Sequence, residues 1–346
     1  MPPLVQPLAP LVATPHGSSH LHGPKLCTHF YDTICGVKGN ITDPTGTVLS
    51  DFEGETKTFN LIGEITAQNP TFNADQIEKL LVQKIYTPKR RKRIQGAFDW
   101  ARARLERFID KQPGSTFSNL EKRALRSKIH AVKLELPTDD ISYADEPDLI
   151  TKSGIYYERL TDGSTRIRLG GAYVLTASSF FNIVFSMAHE LAHSIDPCEV
   201  KNTGLKLSAY NRIGACFVST GLVASSAGRT ECGENDQLSE TYADWLAAQV
   251  TGAALHRFAT EFEPAQIRNA LTNSVRDLCD QDDSYEVDKE LHPSPQIRIE
   301  AIFGRNPEIQ KLTGCSEFPK KPGRTLASSS TYCNFDWEII HAQPTP

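Results

Sequence analysis

Two histidines four residues apart, in the run His189-Glu190-Leu191-Ala192-His193, are the side chains of this sequence best suited to chemistry. On an α-helix such positions share a face, so both imidazoles can reach one metal ion. Glu190 stands about 100° round the axis from His189, close enough to act on a water held by that ion. The donor set suits Zn2+, whose hydrolytic sites take three protein ligands and leave a fourth position for a water of pKa about 7. A second pair four apart, in Glu240-Thr241-Tyr242-Ala243-Asp244, offers the missing ligand. Glu240 would complete a His189/His193/Glu240 set around one Zn2+. Asp244, one turn on, would accept the N–H of a ligand imidazole, fixing its tautomer and raising its basicity. An ExxxD run by itself also describes a solvated acidic turn; behind a metal-type helix it reads as the helix's complement.

Two further residues fit amide hydrolysis. His292 and Arg298 lie in Leu291-His292-Pro293-Ser294-Pro295-Gln296-Ile297-Arg298. An attacked carbonyl develops negative charge, which a donor imidazole such as His292 can stabilise. Arg298 can clamp a substrate carbonyl or carboxylate through two N–H groups. Without the metal motif, the same residues would read as a surface His-Pro turn and a salt-bridging arginine.

These side chains need elements to hold them. Val184, Ala188, Leu191 and Ile195 form an apolar stripe opposite the two histidines, which predicts a helix packed on its back with its ligands toward a cleft. The apolar Trp245-Leu246-Ala247-Ala248 run predicts a second helix through Glu240. Asp162-Gly163 is a hairpin turn signal, followed by the alternating strand Arg166-Ile167-Arg168-Leu169. Between about 75 and 133 the pattern is helical, in Ile77 to Val82, Phe98 to Phe108 and Leu120 to Val132. Lys89-Arg90-Arg91-Lys92-Arg93 follows Pro88 and opens one of these helices, where cations oppose the dipole. It reads first as a solvated helix end, with a processing site or an anionic docking patch as alternatives. The glycines and serines between Cys198 and Cys232 predict an irregular excursion.

Together these motifs resemble the neprilysin and endothelin-converting-enzyme metallopeptidases. His189-Glu-Leu-Ala-His193-Ser-Ile-Asp196 is similar to that family's HExxHxFD, and Glu240-Thr-Tyr-Ala-Asp244 to its ExxAD. Cys27-Thr-His-Phe30-Tyr31-Asp-Thr-Ile-Cys35-Gly36 resembles its C-x2-FY-x3-CG. The His292 to Arg298 segment, then Asn306-Pro307-Glu308, Cys315 and Cys333 with Trp337, follow its terminal order. The resemblance implies an α+β, mainly helical fold: a gluzincin (thermolysin-like) catalytic core with a small edge β-sheet, a reduced helical N-terminal region and disulfide staples. Residues 1–25, rich in Pro, His and small residues, read as a disordered tail; after it are expected a helical region over 26–145 closing over the site and a catalytic region over 146–346. Roles carry over residue by residue. His189, His193 and Glu240 bind zinc, Glu190 is the general base, Asp244 orients a ligand histidine, His292 stabilises the oxyanion and Arg298 holds a substrate carbonyl. The family grips substrate backbone with an Asn-Ala pair on an edge strand. Gly154, Ile155 and Tyr156 stand there in this chain, without the Asn. Family members are about twice as long, so this chain is expected to have a more open cleft. The pairing implied for the cysteines is Cys27 with Cys315, Cys35 with Cys279 and Cys216 with Cys333, leaving Cys198 with Cys232.

Composition bounds the remaining possibilities. The chain has 346 residues, 39% of them hydrophobic, enough for a real core as one large domain or two. A net charge of −5 gives no reason to expect nucleic acid or an anionic membrane as partner. No apolar run approaches the roughly 20 residues of a membrane span, so no stable membrane insertion is expected. Eight cysteines without a CxxC pair argue for disulfides and an oxidising location, secreted, extracellular or periplasmic. The opening Met1-Pro2-Pro3-Leu4-Val5-Gln6 lacks the basic stretch of a secretory signal, so that expectation requires a signal already removed, or else the compartment is wrong. Asn40-Ile41-Thr42 is a lone glycosylation sequon, relevant in a glycosylating host. The expected function is a secreted zinc metalloendopeptidase acting on peptide or protein substrates. Rivals are a CaaX-prenyl-protease-like peptidase, a cell-wall amide hydrolase and a secreted binding module without catalysis. Oligomeric state and side-chain preference leave no trace in the sequence.

Overall fold

Helix starts in this chain are written in capping residues. The computed structural model describes residues 24–37, 39–138, 143, 145–201, 205, 207–223, 237–279, 292–315 and 332–335. Of the expected tail, residues 1–23 lie outside these, while Pro24 and Lys25 already open helix α1 (Pro24–Thr28). Helix α2 (Phe30–Cys35) follows, then a hairpin of β1 (Ile41–Asp43) and β2 (Gly46–Val48). Helices α3 (Asp51–Gln68), α4 (Ala74–Ile85) and α6 (Asn119–Ala131) begin with reciprocal capping boxes, Ser50/Glu53, Asn73/Gln76 and Ser118/Glu121. Helix α5 (Pro88–Lys111) starts with Thr87 as cap and Pro88 in the first turn.

The basic run at the start of α5 has a structural use. Arg90 Nη1 donates to the carbonyls of Lys84 and Ile85, each at 2.9 Å, and Arg91 Nε donates to Tyr86 at 2.7 Å. Two arginines thus satisfy the open C-terminal carbonyls of α4, where cations are favoured by the dipole of that helix.

A short strand β3 (Lys133–Leu134) pairs parallel with β5 (Thr165–Leu169), and β4 (Ile155–Arg159) pairs antiparallel with the other side of β5. The order β3-β5-β4 leaves β4 at an edge. Gly163, with φ +80°, makes the expected turn between β4 and β5. Arg166 and Arg168 reach across to Glu158 and onward to Asp145, locking the edge strand to its neighbour.

After α7 (Gly171–Thr176) comes α8 (Phe180–His193), the helix carrying the HExxH run. It is buried almost all round; Phe181, Ile183, Val184, Met187, Ala188 and Leu191 are in the core, so the stripe is broader than expected. Ile195 is buried too, but lies past the helix end. Helix α8 packs chiefly against α11 (Gln237–Phe258) and α5, and also against α12 (Pro264–Ser274). Ala247, Ala248 and Thr251 continue the α11 face that carries Glu240 and Asp244. All three are fully buried and small, which lets the two helices approach closely.

The start of α8 is capped from outside. Ser179 makes no cap of its own, and the Phe180 N–H donates instead to Thr45 Oγ1 at 2.9 Å. Asp43 holds that hairpin in place, accepting from Ser179 Oγ at 2.6 Å and Asn273 Nδ2 at 2.7 Å.

Where it is described, the stretch from Cys198 is more regular than expected; residues 224–232 of it lie outside the described residues. Helices α9 (Pro197–Lys201) and α10 (Ser208–Ser219) lie there, α10 burying Ala209, Ile213, Cys216 and Phe217 at helical spacing. The chain continues through α13 (Arg276–Cys279), a π-helical stretch over Ile297–Phe303, and α14 (Pro307–Thr313). The fold is therefore mainly helical with small sheets, as expected; one buried cluster draws residues from both 26–145 and 146–346.

Three disulfides, Cys27–Cys315, Cys35–Cys279 and Cys216–Cys333, follow the expected pairing and span 288, 244 and 117 residues. Cys198 is also disulfide-bonded, and Cys232 lies outside the described residues. Among the described residues no helix is long and apolar enough to cross a membrane. The cystines accord with an oxidising compartment.

Candidate functional site

Close packing of α8 on α11 brings His189, His193 and Glu240 together. His189 Nε2 lies 3.1 Å and His193 Nε2 3.6 Å from Glu240 Oε2, and the two nitrogens are 3.2 Å apart. Atoms bound to Zn2+ at its usual bond lengths of about 2.0–2.1 Å occupy tetrahedron corners about 3.3–3.4 Å apart. The observed triangle scatters around that edge.

The outer contacts decide which nitrogens face inward. His189 Nδ1 meets Asp244 Oδ1 at 2.9 Å. His193 Nδ1 meets Asp196 Oδ2 at 3.2 Å and Ser239 Oγ at 3.3 Å. A carboxylate only accepts, so each Nδ1 carries the proton and each Nε2 of a neutral ring presents a lone pair. Glu240 Oε2, buried and with only imidazole nitrogens close to it, faces those lone pairs. Lone pairs gathered around one point repel unless a cation sits among them, so this donor set fits a divalent metal ion.

The charges follow the same logic. Burial opposes ionisation of Glu240, but His193, His189 and His292 outweigh it and hold the carboxyl well below the ordinary range. Burial disfavours protonated His189, but Asp244 and Glu240 outweigh it and push its pKa up to about 10. His193 is raised too, by Glu240 and Asp196 against burial. In the protein without an ion, protons therefore do the neutralising.

Asp244 is anchored from behind. Arg298, only 4% exposed, donates Nε to Asp244 Oδ2 at 2.6 Å and Nη2 to Oδ1 at 3.0 Å. Arg298 and His189 hold that carboxyl low despite burial. The arginine expected to grip substrate thus commits two nitrogens to the carboxylate behind a candidate ligand. His292 Nε2 lies 2.9 Å from Glu240 Oε2, and its ring stacks near His189 at 6.5 Å between centroids. His189, Glu240 and His292 also lie close enough to bind one ion. His193 has in Asp196 the outer carboxylate partner that zinc imidazoles ordinarily have.

Glu190 points at the edge strand. Its Oε2 accepts from the Tyr157 N–H at 2.7 Å, and burial raises its pKa although His189 and His193 pull it down. The Gly170 N–H donates to the Gly154 carbonyl, which fixes the alternation along β4. Gly154 and Tyr156 turn their backbone groups toward β5, and Ile155, Tyr157 and Arg159 turn theirs to the open edge. Of the three strand residues expected to bind substrate, only Ile155 therefore offers its backbone outward. Gly154 has φ +134°, a conformation that side-chain-bearing residues rarely adopt.

Asp196 was named in the metal-helix motif without a role, and the parts of Ser239 and the Tyr157 N–H were not anticipated. Asp196 could have been found from its position three residues past His193, on the same helical side. Ser239 and the Tyr157 amide carry no sequence signal. Searches of the chain against protein-family models, curated proteins and solved structures found no match.

Proposed function

We propose that this protein is a zinc-dependent metalloendopeptidase of the neprilysin-like gluzincin type, hydrolysing peptides that lie along β4. One observation carries the reading. Two imidazoles and a carboxylate converge on one point, each imidazole backed by an outer carboxylate, with a second acid alongside. One Zn2+ held by His189, His193 and Glu240 would polarise a peptide carbonyl and acidify a water.

The protein's own groups do the rest. The Tyr157 N–H holds one oxygen of Glu190, leaving the other to take a proton from the attacking water and return it to the departing nitrogen. The raised pKa of Glu190 suits a group that must both accept and release a proton. His292 serves the developing oxyanion. Asp244, braced by Arg298, keeps His189 in the ligating tautomer. The open edge of β4 binds extended backbone by strand addition.

Glu190→Gln should retain one zinc per chain yet lose about 10²–10⁴-fold in turnover. The assay is cleavage of a peptide library, with and without o-phenanthroline, alongside elemental analysis. Near-wild-type cleavage by the variant, or chelator-insensitive cleavage by the wild type, would overturn the reading.

A further inference from the structure

The open edge of β4 continues past Tyr157 to Arg159. Two residues apart, they share a face of the strand as well as the outward edge. The Tyr157 ring packs near His193, 6.1 Å between centroids, so Arg159 extends the same side of the cleft. Its guanidinium is 48% exposed and contacts Glu199 through a single nitrogen, Nη1, at 2.9 and 3.1 Å. Nε and Nη2 have no partner among the described residues. Lys128 Nζ already lies 2.8 Å from the same Glu199, which is only 12% exposed. Two cations share this one anion, and the nearby Asp196 is taken up by His193 and Ser239, so Arg159 keeps positive charge to offer beside the strand edge.

A peptide added antiparallel to β4 would place one side chain directly opposite Arg159, on the same face and about 4.5–5.5 Å away between Cβ atoms. Its N-terminal half runs toward Arg159, and its cleaved bond lies beside Tyr157, whose amide holds Glu190. We infer that Arg159, supported by Lys128, selects peptides with an acidic side chain two or three residues N-terminal to the cleaved bond. The inference rests on the peptidase reading for the location of that bond.

An opposite-charge cross-strand pair should favour Glu over Lys at that position by about twofold to fivefold. The first readout is binding alone: fluorescence anisotropy of two labelled nonapeptides, differing only by Glu or Lys there, on the zinc-loaded Glu190→Gln protein. The Glu peptide should bind more tightly, with a preference that shrinks as salt rises. Arg159→Gln in that background should remove the preference, and Arg159→Lys should keep it. Equal binding of the two peptides, or an undiminished preference in Arg159→Gln, overturns the inference. The second readout is the ratio of kcat/KM for the pair with Glu190 intact. It should favour Glu and fall to unity or below in Arg159→Glu. A protein that binds the peptides selectively but cleaves neither would refute the peptidase reading while upholding the charge selection.

Discussion

Asp244→Asn tests the architecture behind the candidate ligands. In the native protein Asp244, 1% exposed, accepts from Arg298 at 2.6 and 3.0 Å and meets His189 Nδ1 at 2.9 Å. An amide keeps one oxygen for Arg298 but removes the charge and can turn an NH2 toward His189. The imidazole would then carry its proton on Nε2, the atom that has to ligate. Losing such a partner typically weakens metal binding about 10–100-fold. The same change leaves a buried guanidinium uncompensated, costing about 3 kcal/mol, the lower end for breaking a buried pair because one hydrogen bond survives. The two effects separate experimentally. Competition against a fluorescent zinc chelator reads affinity, and thermal melts in EDTA read the stability of the metal-free fold. Adding Arg298→Gln should recover much of the stability and little of the affinity. An Asp244→Asn protein that binds zinc within twofold of wild type would refute the tautomer argument, however unstable it proved.

Other expectations follow from the same geometry. His193→Ala should lose stoichiometric zinc while His292→Ala keeps it, and elemental analysis of the reverse pattern would make His292 the ligand. His189 without metal is raised from its ordinary 6.5 to about 10, so the folded metal-free chain holds more protons than the unfolded one across that window. Its stability should be fully present below about pH 6.5 and fall as pH rises toward 10, whereas the zinc-loaded protein should hold its melting temperature there. Because the ring must release a proton to ligate, zinc added in weak buffer near neutral pH should acidify the solution. Asp43→Ala should destabilise the fold by about 1–3 kcal/mol by stripping buried donors of their acceptor, measured by urea denaturation of the zinc-loaded protein.

Much of the site was legible because its parts are local. The four-residue spacing of His189 and His193, and of Glu240 and Asp244, encodes a shared helix face whatever the rest of the chain does. The hairpin turn at Gly163 was equally local; the pairing of the cystines was not legible in spacing and came only with the family resemblance. What escaped depends on distance along the chain. The Tyr157 amide meets Glu190 across 33 residues, and Asp43 meets Asn273 across 230. Helix α3 was overlooked because its apolar positions are diluted by Gly54 and Gly63 and by exposed phenylalanines, although Ser50 and Glu53 spell a capping box. Gly54 has a tertiary reason: a Cβ there would stand 2.4 Å from Thr176 Cγ2, so the residue serves the contact with α7. Arg298 was assigned to substrate from its type and the family resemblance; its burial against Asp244 shows only in the packing of two distant segments.

The cystines Cys27–Cys315 and Cys35–Cys279 begin within one short stretch and end on either side of His292 and Arg298. Backbone and sulfur together thus close a small macrocycle containing both residues. Heating the oxidised chain can dissolve every helix and still leave that quarter of the candidate centre threaded on a loop too short to wander. Oxidised, the chain thus keeps His292 and Arg298 tied to residues 27–35 after thermal insult, while His189, His193 and Glu240, outside the ring, must still find them; a thiol-reduced chain loses even that tie.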